Sequence, residues 1–417
     1  MKKLILLIAS CISFVSKAQT FPVGHMSINF KDASRTSTGY SISGGIAMSG
    51  TGRTIGTEVY YPSTVAGNNT AVANGQFPVV VFGHGFAMTW DSYDNIYNRL
   101  ASLGYIVLLP RTESGIFPTP NHADFGADLK LLATQGLLLN TTSTPTALAT
   151  FNGKVLQKSA IGGHSMGAGC SFVAAQNNTT VTCVFNLAAA TSNTAGVSSI
   201  AGASLVTVPL LMISGEKDNV ADSTVQNSHY NPTASAIKFH SIIKDVTHCD
   251  FGNGTSTTCT IGQAACSGAG CNATLFARYM SYVEPFLAYE LKNDCNAGNT
   301  FMTLIQNPSV DRVGRKITGS IACSSTGIQS QNFSQIFSIY PNPTEGKLTI
   351  AFTSAASSPI TYNLYDISGR LVLQTSDLLT NIGEVKKEFN LENIDKGTYI
   401  LQINQNNQKG IYKIIKQ

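Results

Sequence analysis

Charge is scarce in this 417-residue chain. Asp, Glu, Lys and Arg make up 12% of it, about half the usual share, and 27 basic side chains nearly balance 23 acidic ones. No block or stripe of basic residues stands out, so the pattern of a nucleic-acid surface is missing. Beyond the N-terminus no apolar run reaches the roughly 18 residues that a membrane helix needs. The cysteines never fall in C-x-x-C pairs and no histidine sits at a partner offset, which argues against a zinc site. Tryptophan occurs once, at Trp90. What is present is 43% hydrophobic residue and 37 glycines, a composition that supports a buried core and excludes a mainly disordered chain.

Lys2 and Lys3 precede an apolar run from Leu4 to Val15, and Ser16-Lys17-Ala18 offers small residues for cleavage. Residues 1–18 read as a signal peptide, since the run is too short for a bilayer core of about 30 Å. Cys11 leaves with it. The remaining cysteines, Cys170, Cys183, Cys249, Cys259, Cys266, Cys271, Cys295 and Cys323, form an even set. In an exported chain that predicts disulfides, with the connectivity left open.

Three zones follow. Residues 20–300 alternate β-branched apolar runs with helix-like stretches, the texture of a mostly parallel sheet covered by helices on both faces. Strands are predicted at Pro78–Phe82, Tyr105–Leu109, Ser159–Ile161, Val181–Leu187, Val208–Ile213 and Ile237–Ile243. Helices are predicted at Ser92–Leu103, Asp124–Leu137, Ala168–Ala175 and Ala273–Leu291. Residues 301–335 are polar, rich in Ser, Gln and Gly, and read as a linker. Residues 336–417 carry short alternating segments between turns, as in a small all-β sandwich.

Gly163-His164-Ser165-Met166-Gly167 follows a predicted strand and opens a predicted helix. A serine on so sharp a turn needs glycine two places to either side, and its hydroxyl then projects at a helix N-terminus. Such a serine is a poor nucleophile until a base takes its proton and a carboxylate orients that base. Asp218 lies just past the strand Val208–Ile213, and His248 just past Ile237–Ile243. The order and spacing predict a triad Ser165–Asp218–His248. Glu216 competes from the same turn as Asp218. Asp222 reads as a helix start, Asp245 and Asp250 as loop or cap residues, and His229 and His240 as surface or packing residues. His122 could line the cleft but fits a structural role, and His25 has nothing nearby that suggests chemistry. The oxyanion donors are predicted to be the N–H of Met166 and, after Gly83-His84-Gly85, that of Phe86, with His84 bracing the loop.

These residues resemble the α/β-hydrolase superfamily. Within it, from about Thr57 to Cys323, the chain is similar to the secreted dienelactone-hydrolase, cutinase and polyester-hydrolase group, whose members include enzymes acting on poly(ethylene terephthalate). The resemblance implies an α/β-hydrolase fold with a disulfide-closed extension to about 323, and a Cys295–Cys323 bridge. It implies substrate contacts at Phe86, His164, Met166 and Ala189. The tryptophan that polyester-active members carry after the next strand is missing from Leu187-Ala188-Ala189-Ala190, a stacking partner worth about 1 kcal/mol. Tyr340-Pro341-Asn342-Pro343, Tyr365-Asp366-Ile367-Ser368-Gly369-Arg370, Gly397-Thr398-Tyr399 and the ending from Lys413 resemble the C-terminal sorting domain of the type IX secretion system of Bacteroidetes, which implies an export address and the secretion machinery as partner.

Only about twenty residues separate Leu187 from Val208, little chain for a large lid, so an open, shallow cleft is expected. The expectation is a secreted, monomeric serine carboxylester hydrolase without cofactor or metal, acting on short-acyl esters and on polyesters. A serine peptidase and a catalytically silent surface binding protein are the alternatives.

Overall fold

The structure, a computed structural model, describes residues 20–35, 52–140, 150–256, 273–321, 338–354, 359–378, 383–405 and 408–417. The expected signal peptide, residues 322–335 of the expected linker, and Cys259, Cys266, Cys271 and Cys323 lie outside them. The chain divides into two compact units, one ending at Cys323 and the other beginning at Ser324.

In the first unit the strands are β1 (Val23–Asp32), β2 (Arg53–Pro62), β3 (Gly67–Asn68), β4 (Phe77–Gly83), β5 (Ile106–Pro110), β6 (Val155–His164), β7 (Cys183–Leu187), β8 (Leu210–Gly215), β9 (Lys238–Ile243) and β10 (Arg312–Thr318). The helices are α1 (Asp94–Ser102), α2 (His122–Leu138), α3 (Met166–Ala175), α4 (Ser199–Ala203), α5 (Ser223–Tyr230), α6 (Ala273–Lys292) and α7 (Cys295–Gln306). One sheet holds the strands in the order β10-β9-β8-β7-β6-β4-β5-β2-β1-β3, parallel from β9 through β5 and antiparallel where β2 and β10 join. The parallel strands are apolar at nearly every position because both faces are covered. Alternate residues of β4 show how: Val79 and Val81 join the core under α2 and α3, while Val80 and Phe82 join the core under α1 and α6. This is the α/β-hydrolase arrangement.

Caps explain where several helices start. The Asn121 side chain accepts the Asp124 N–H at 3.0 Å to open α2, and Asp222 accepts from Thr224 and Val225 to open α5. The stretch from Leu187 to Val208 forms a short turn at Thr194–Gly196 and helix α4.

Two expectations need correction. Residues from 301 are not linker up to 318: they complete α7 and form β10, which pairs antiparallel with β9. Arg312 and Arg315 fasten the strand to the end of α7, donating to the carbonyls of Leu304 at 2.7 Å and Ile305 at 2.9 Å. An edge strand with one wet face carries few apolar residues, hence its polar texture. Nor do all eight cysteines pair. Cys170 and Cys183 are free and buried, in the two cores on opposite sides of the sheet. Cys249 and Cys295 are disulfide-bonded.

The second unit holds two antiparallel sheets. One comprises β11 (Ser338–Tyr340), β12 (Lys347–Ser354) and β15 (Gly383–Asn390). The other is β14 (Leu371–Leu378), β13 (Pro359–Asp366), β16 (Gly397–Gln405) and β17 (Gln408–Lys416), in that order. Ile350 and Phe389 of the first sheet and Tyr362, Leu401 and Ile414 of the second belong to one shared core.

Candidate active site

The register between β4 and β6 fixes where the site lies. Gly83 pairs with Gly163 and Phe82 with Gly162, so the loops leaving both carboxyl ends start side by side. α1 and α3, which follow them, cover opposite faces. Such a switch point is where open α/β sheets bind ligands.

Ser165 occupies the turn from β6 into α3 with φ 54° and ψ −116°, a conformation that costs a non-glycine residue of order 1–3 kcal/mol. Close packing enforces it. A Cβ at Gly163 would stand 2.6 Å from the carbonyl oxygen of Gly83, and one at Gly167 only 2.2 Å from the same atom. The Ser165 N–H donates to Leu187 at 3.0 Å, and its carbonyl accepts from Gly169 and Ala190 at 2.9 and 3.0 Å.

The three predicted triad residues come together. The Ser165 hydroxyl lies 2.8 Å from Nε2 of His248, and Nδ1 of His248 lies 2.9 Å from Oδ2 of Asp218. All three are buried. The other carboxylate oxygen of Asp218 accepts the N–H groups of Val220 at 2.9 Å and Ala221 at 2.8 Å. Burial alone would raise the Asp218 carboxyl, but the bonds from His248, Ala221 and Val220 outweigh it and hold the group below its usual range. The loops bearing Asp218 and His248 are zipped together: the N–H groups of Glu216 and Lys217 donate to Ile243 and Val246, each at 2.9 Å. Thr247 and Asp250 close a capping box around the histidine turn. With one ring nitrogen held by a carboxylate and the other facing a hydroxyl, the imidazole can take up and return the serine proton.

Met166 is the first residue of α3, so its N–H is one of those a helix leaves without an intrahelical acceptor. Phe86 follows β4 and is 41% exposed. His84 braces that loop from within, its Nε2 2.8 Å from the carbonyl of Thr112 and its Nδ1 2.9 Å from that of Gly85.

Of the expected substrate contacts, Phe86 alone presents a broad surface. The side chains of His164, Met166 and Ala189 are buried, as is that of Ser165 itself. The strained turn lifts the serine out of the sheet while its neighbours point into the layers. Met166 and Ala189 belong to the core under α2 and α3. The Nε2 of His164 lies 2.8 Å from the main-chain carbonyl of His248, and its Nδ1 2.8 Å from the Tyr93 hydroxyl.

Residues 29–267 match the family described as PET hydrolase-like. The chain belongs to that family. Residues 338–417 match the secretion system C-terminal sorting domain. A search of the curated proteins gives no match. Family membership makes this PET hydrolase-like chain a hydrolase of esters or polyesters, and the sorting domain makes it an export substrate of type IX secretion, bound for the cell surface or the exterior. Among the described residues no helix is long and apolar enough to cross a membrane.

The other candidates have structural partners. Glu216 accepts the Asp245 N–H at 3.0 Å. Asp245 pairs with Lys217 at 2.8 Å. His229 and His240 are buried, beside the hydroxyls of Ser199 and Ser214, each at 2.8 Å. His122 opens α2, and its Nδ1 accepts the Thr194 N–H at 3.3 Å. His25 pairs with Glu58 at 2.6 Å and stacks on Tyr60.

The sequence reading did not single out Tyr93, or the exposed apolar tips Ile116, Phe117 and Val220 in the loops after β5 and β8. Strand-end position was the available signal for the tips, since both loops leave the carboxyl edge of the sheet.

Proposed function

We propose that the chain is an exported serine carboxylester hydrolase working through an acyl-enzyme. The observation that carries the reading is the continuous relay from Ser165 through His248 to Asp218. The Ser165 oxygen attacks the acyl carbon while its proton passes to Nε2 of His248. The N–H groups of Met166 and Phe86 hold the oxyanion, and Asp218 keeps the imidazole in the tautomer that accepts at Nε2. Collapse expels the alcohol, which takes the proton from His248. Water, deprotonated by the same ring, then releases the acid and restores the serine. No metal or organic cofactor is required.

Short-acyl esters are the proposed soluble substrates and polyester surfaces the proposed polymeric ones. The exposed apolar side chains Phe86, Ile116, Phe117 and Val220 support the second class. The signal peptide 1–18, the catalytic span 20–300 with its extension to a Cys295–Cys323 disulfide, and a monomeric state belong to the same proposal.

Hydrolysis of p-nitrophenyl esters across acyl lengths, wild type beside Ser165→Ala, tests it, with a poly(ethylene terephthalate) film assayed in parallel. Turnover of short esters that vanishes in Ser165→Ala is expected, with soluble products from the film. Absence of ester turnover in folded wild-type protein would sink the reading.

A further inference from the structure

The hydrogen bonds around His164 have a definite direction. The carbonyl of His248 can only accept, so the ring proton of His164 sits on Nε2 and points at that oxygen, 2.8 Å away. Nδ1 is then an acceptor and receives the Tyr93 O–H bond at 2.8 Å, a stronger acceptor than the Met88 sulfur 3.1 Å from the same hydroxyl. The Tyr93 oxygen in turn accepts the Gly85 N–H at 2.9 Å. Tyr93 and His164 are both buried. Burial, reinforced by the neighbouring His248, pulls the His164 imidazole down to about 3, so the ring stays neutral with one donor and one acceptor.

The two ends of this chain matter. Gly85 immediately precedes Phe86, whose N–H is an oxyanion donor in the proposed mechanism. The other end is the main chain of the general base itself. A Cβ at Gly85 would lie 3.1 Å from the Tyr93 oxygen and 3.2 Å from Nδ1 of His164, so the loop is seated directly against the pair. The His164 and His248 rings also touch, with centroids 4.7 Å apart. An apolar pair would fill the same volume without the cost of burying polar groups.

We infer that Tyr93 and His164 are positioning residues that tie the oxyanion loop at Gly85 to the backbone of His248, holding the oxyanion donors and the proton shuttle in one geometry. The inference rests on the Ser165–His248–Asp218 reading.

The test measures kcat and KM on p-nitrophenyl butyrate for Tyr93→Phe, His164→Leu, His164→Gln and the double variant Tyr93→Phe/His164→Leu. Rates are expressed per site counted by end-point phosphonate labelling, with thermal unfolding alongside. Tyr93→Phe is expected to lower kcat about tenfold, equivalent to about 1.4 kcal/mol of transition-state stabilisation, with KM nearly unchanged. His164→Leu should lose more. His164→Gln, whose amide can still donate to the His248 carbonyl, should recover part of that loss. The double variant should be no worse than His164→Leu, because one chain has been cut twice. A merely structural role would lower Tm and the number of titrated sites while leaving kcat per site intact, and that result overturns the inference. So does a kcat per site within twofold of wild type in both single variants while Ser165→Ala is inactive. Full turnover in Ser165→Ala would instead overturn the triad reading and this inference with it.

Discussion

A methyl group at Gly215 tests whether the site depends on the contact between the loops that carry Asp218 and His248. Gly215 ends β8, and a Cβ there would stand 2.1 Å from the carbonyl oxygen of Val246. Real Cβ atoms essentially never come closer than 3.0 Å, so the oxygen must retreat by about 0.9 Å. β8 is paired on both sides, with β7 and β9, and the loop after β9 is the softer partner. Val246 lies two residues before His248, whose two bonds at 2.8 and 2.9 Å leave little slack. A displacement approaching 1 Å at a catalytic group costs about 10²-fold, and overpacking of this kind also costs about 1–3 kcal/mol of stability. Gly215→Ala should therefore fold, melt several degrees lower, and hydrolyse p-nitrophenyl butyrate with kcat/KM down about 10²-fold. A folded variant with kcat/KM within threefold of wild type would refute the reasoning, because the loops could then separate without moving the histidine.

Asp218→Asn should cost about 10³–10⁴-fold in kcat on the same ester. The N–H groups of Val220 and Ala221 require an oxygen, so the new amide nitrogen must face Nδ1 of His248 and force its proton to Nε2; retained activity would contradict that tautomer argument. His240 is depressed to about 4 by burial, with Lys316 opposite it adding to the effect. The unfolded chain takes up this proton below its ordinary 6.5 and the folded chain only near 4, so stability falls as pH drops through that window. His240→Gln should flatten the pH dependence of urea unfolding by up to about 1.4 kcal/mol per pH unit there, and an unchanged slope would count against it. His84, His122, His164 and His229, also depressed by burial, keep the remaining slope. Ile116→Ser/Phe117→Ser removes two exposed apolar side chains, and docking of a buried Phe is worth about 1.5–3 kcal/mol. Product release from polyester film should fall about tenfold or more while p-nitrophenyl acetate turnover stays within about twofold; equal losses on both substrates would mean the tip acts on the chemistry.

The placement of Ser165, Asp218 and His248 side by side was legible because it obeys local rules. A G-x-S-x-G turn announces itself by its glycines, and an acid and a base each just past an apolar run sit at strand ends. Ser165, Asp218 and His248 accordingly form one hydrogen-bonded chain. The sheet centre was legible for a similar reason, since strands covered on both faces are unbroken apolar runs. The edges were not. β1 and β2, an antiparallel pair, and β10, mistaken for linker, depend on neighbours distant in sequence. Side-chain direction was the other blind spot. His164 adjoins the nucleophile in sequence yet ends β6 with its ring buried among Tyr93, His248 and Phe251. Tyr93 carried no signal, because its partners His164 and Gly85 meet it only through the β4–β6 register.

The missing tryptophan has a physical counterpart in the structure. After β7 the chain runs through Ala188 and Ala189, both buried, with the Ala188 N–H donating to Ile213 at 2.7 Å and the Ala189 carbonyl accepting from Gln226 at 3.0 Å. That backbone is engaged inside the molecule, so a larger side chain alone would not restore an aromatic wall there. The aromatic surface at the carboxyl edge comes instead from the loops after β4 and β5, at Phe86 and at Phe117, which is 92% exposed. For the polyester reading proposed above, an aromatic stacking surface is therefore expected from Phe86 and Phe117 and not from the β7 loop.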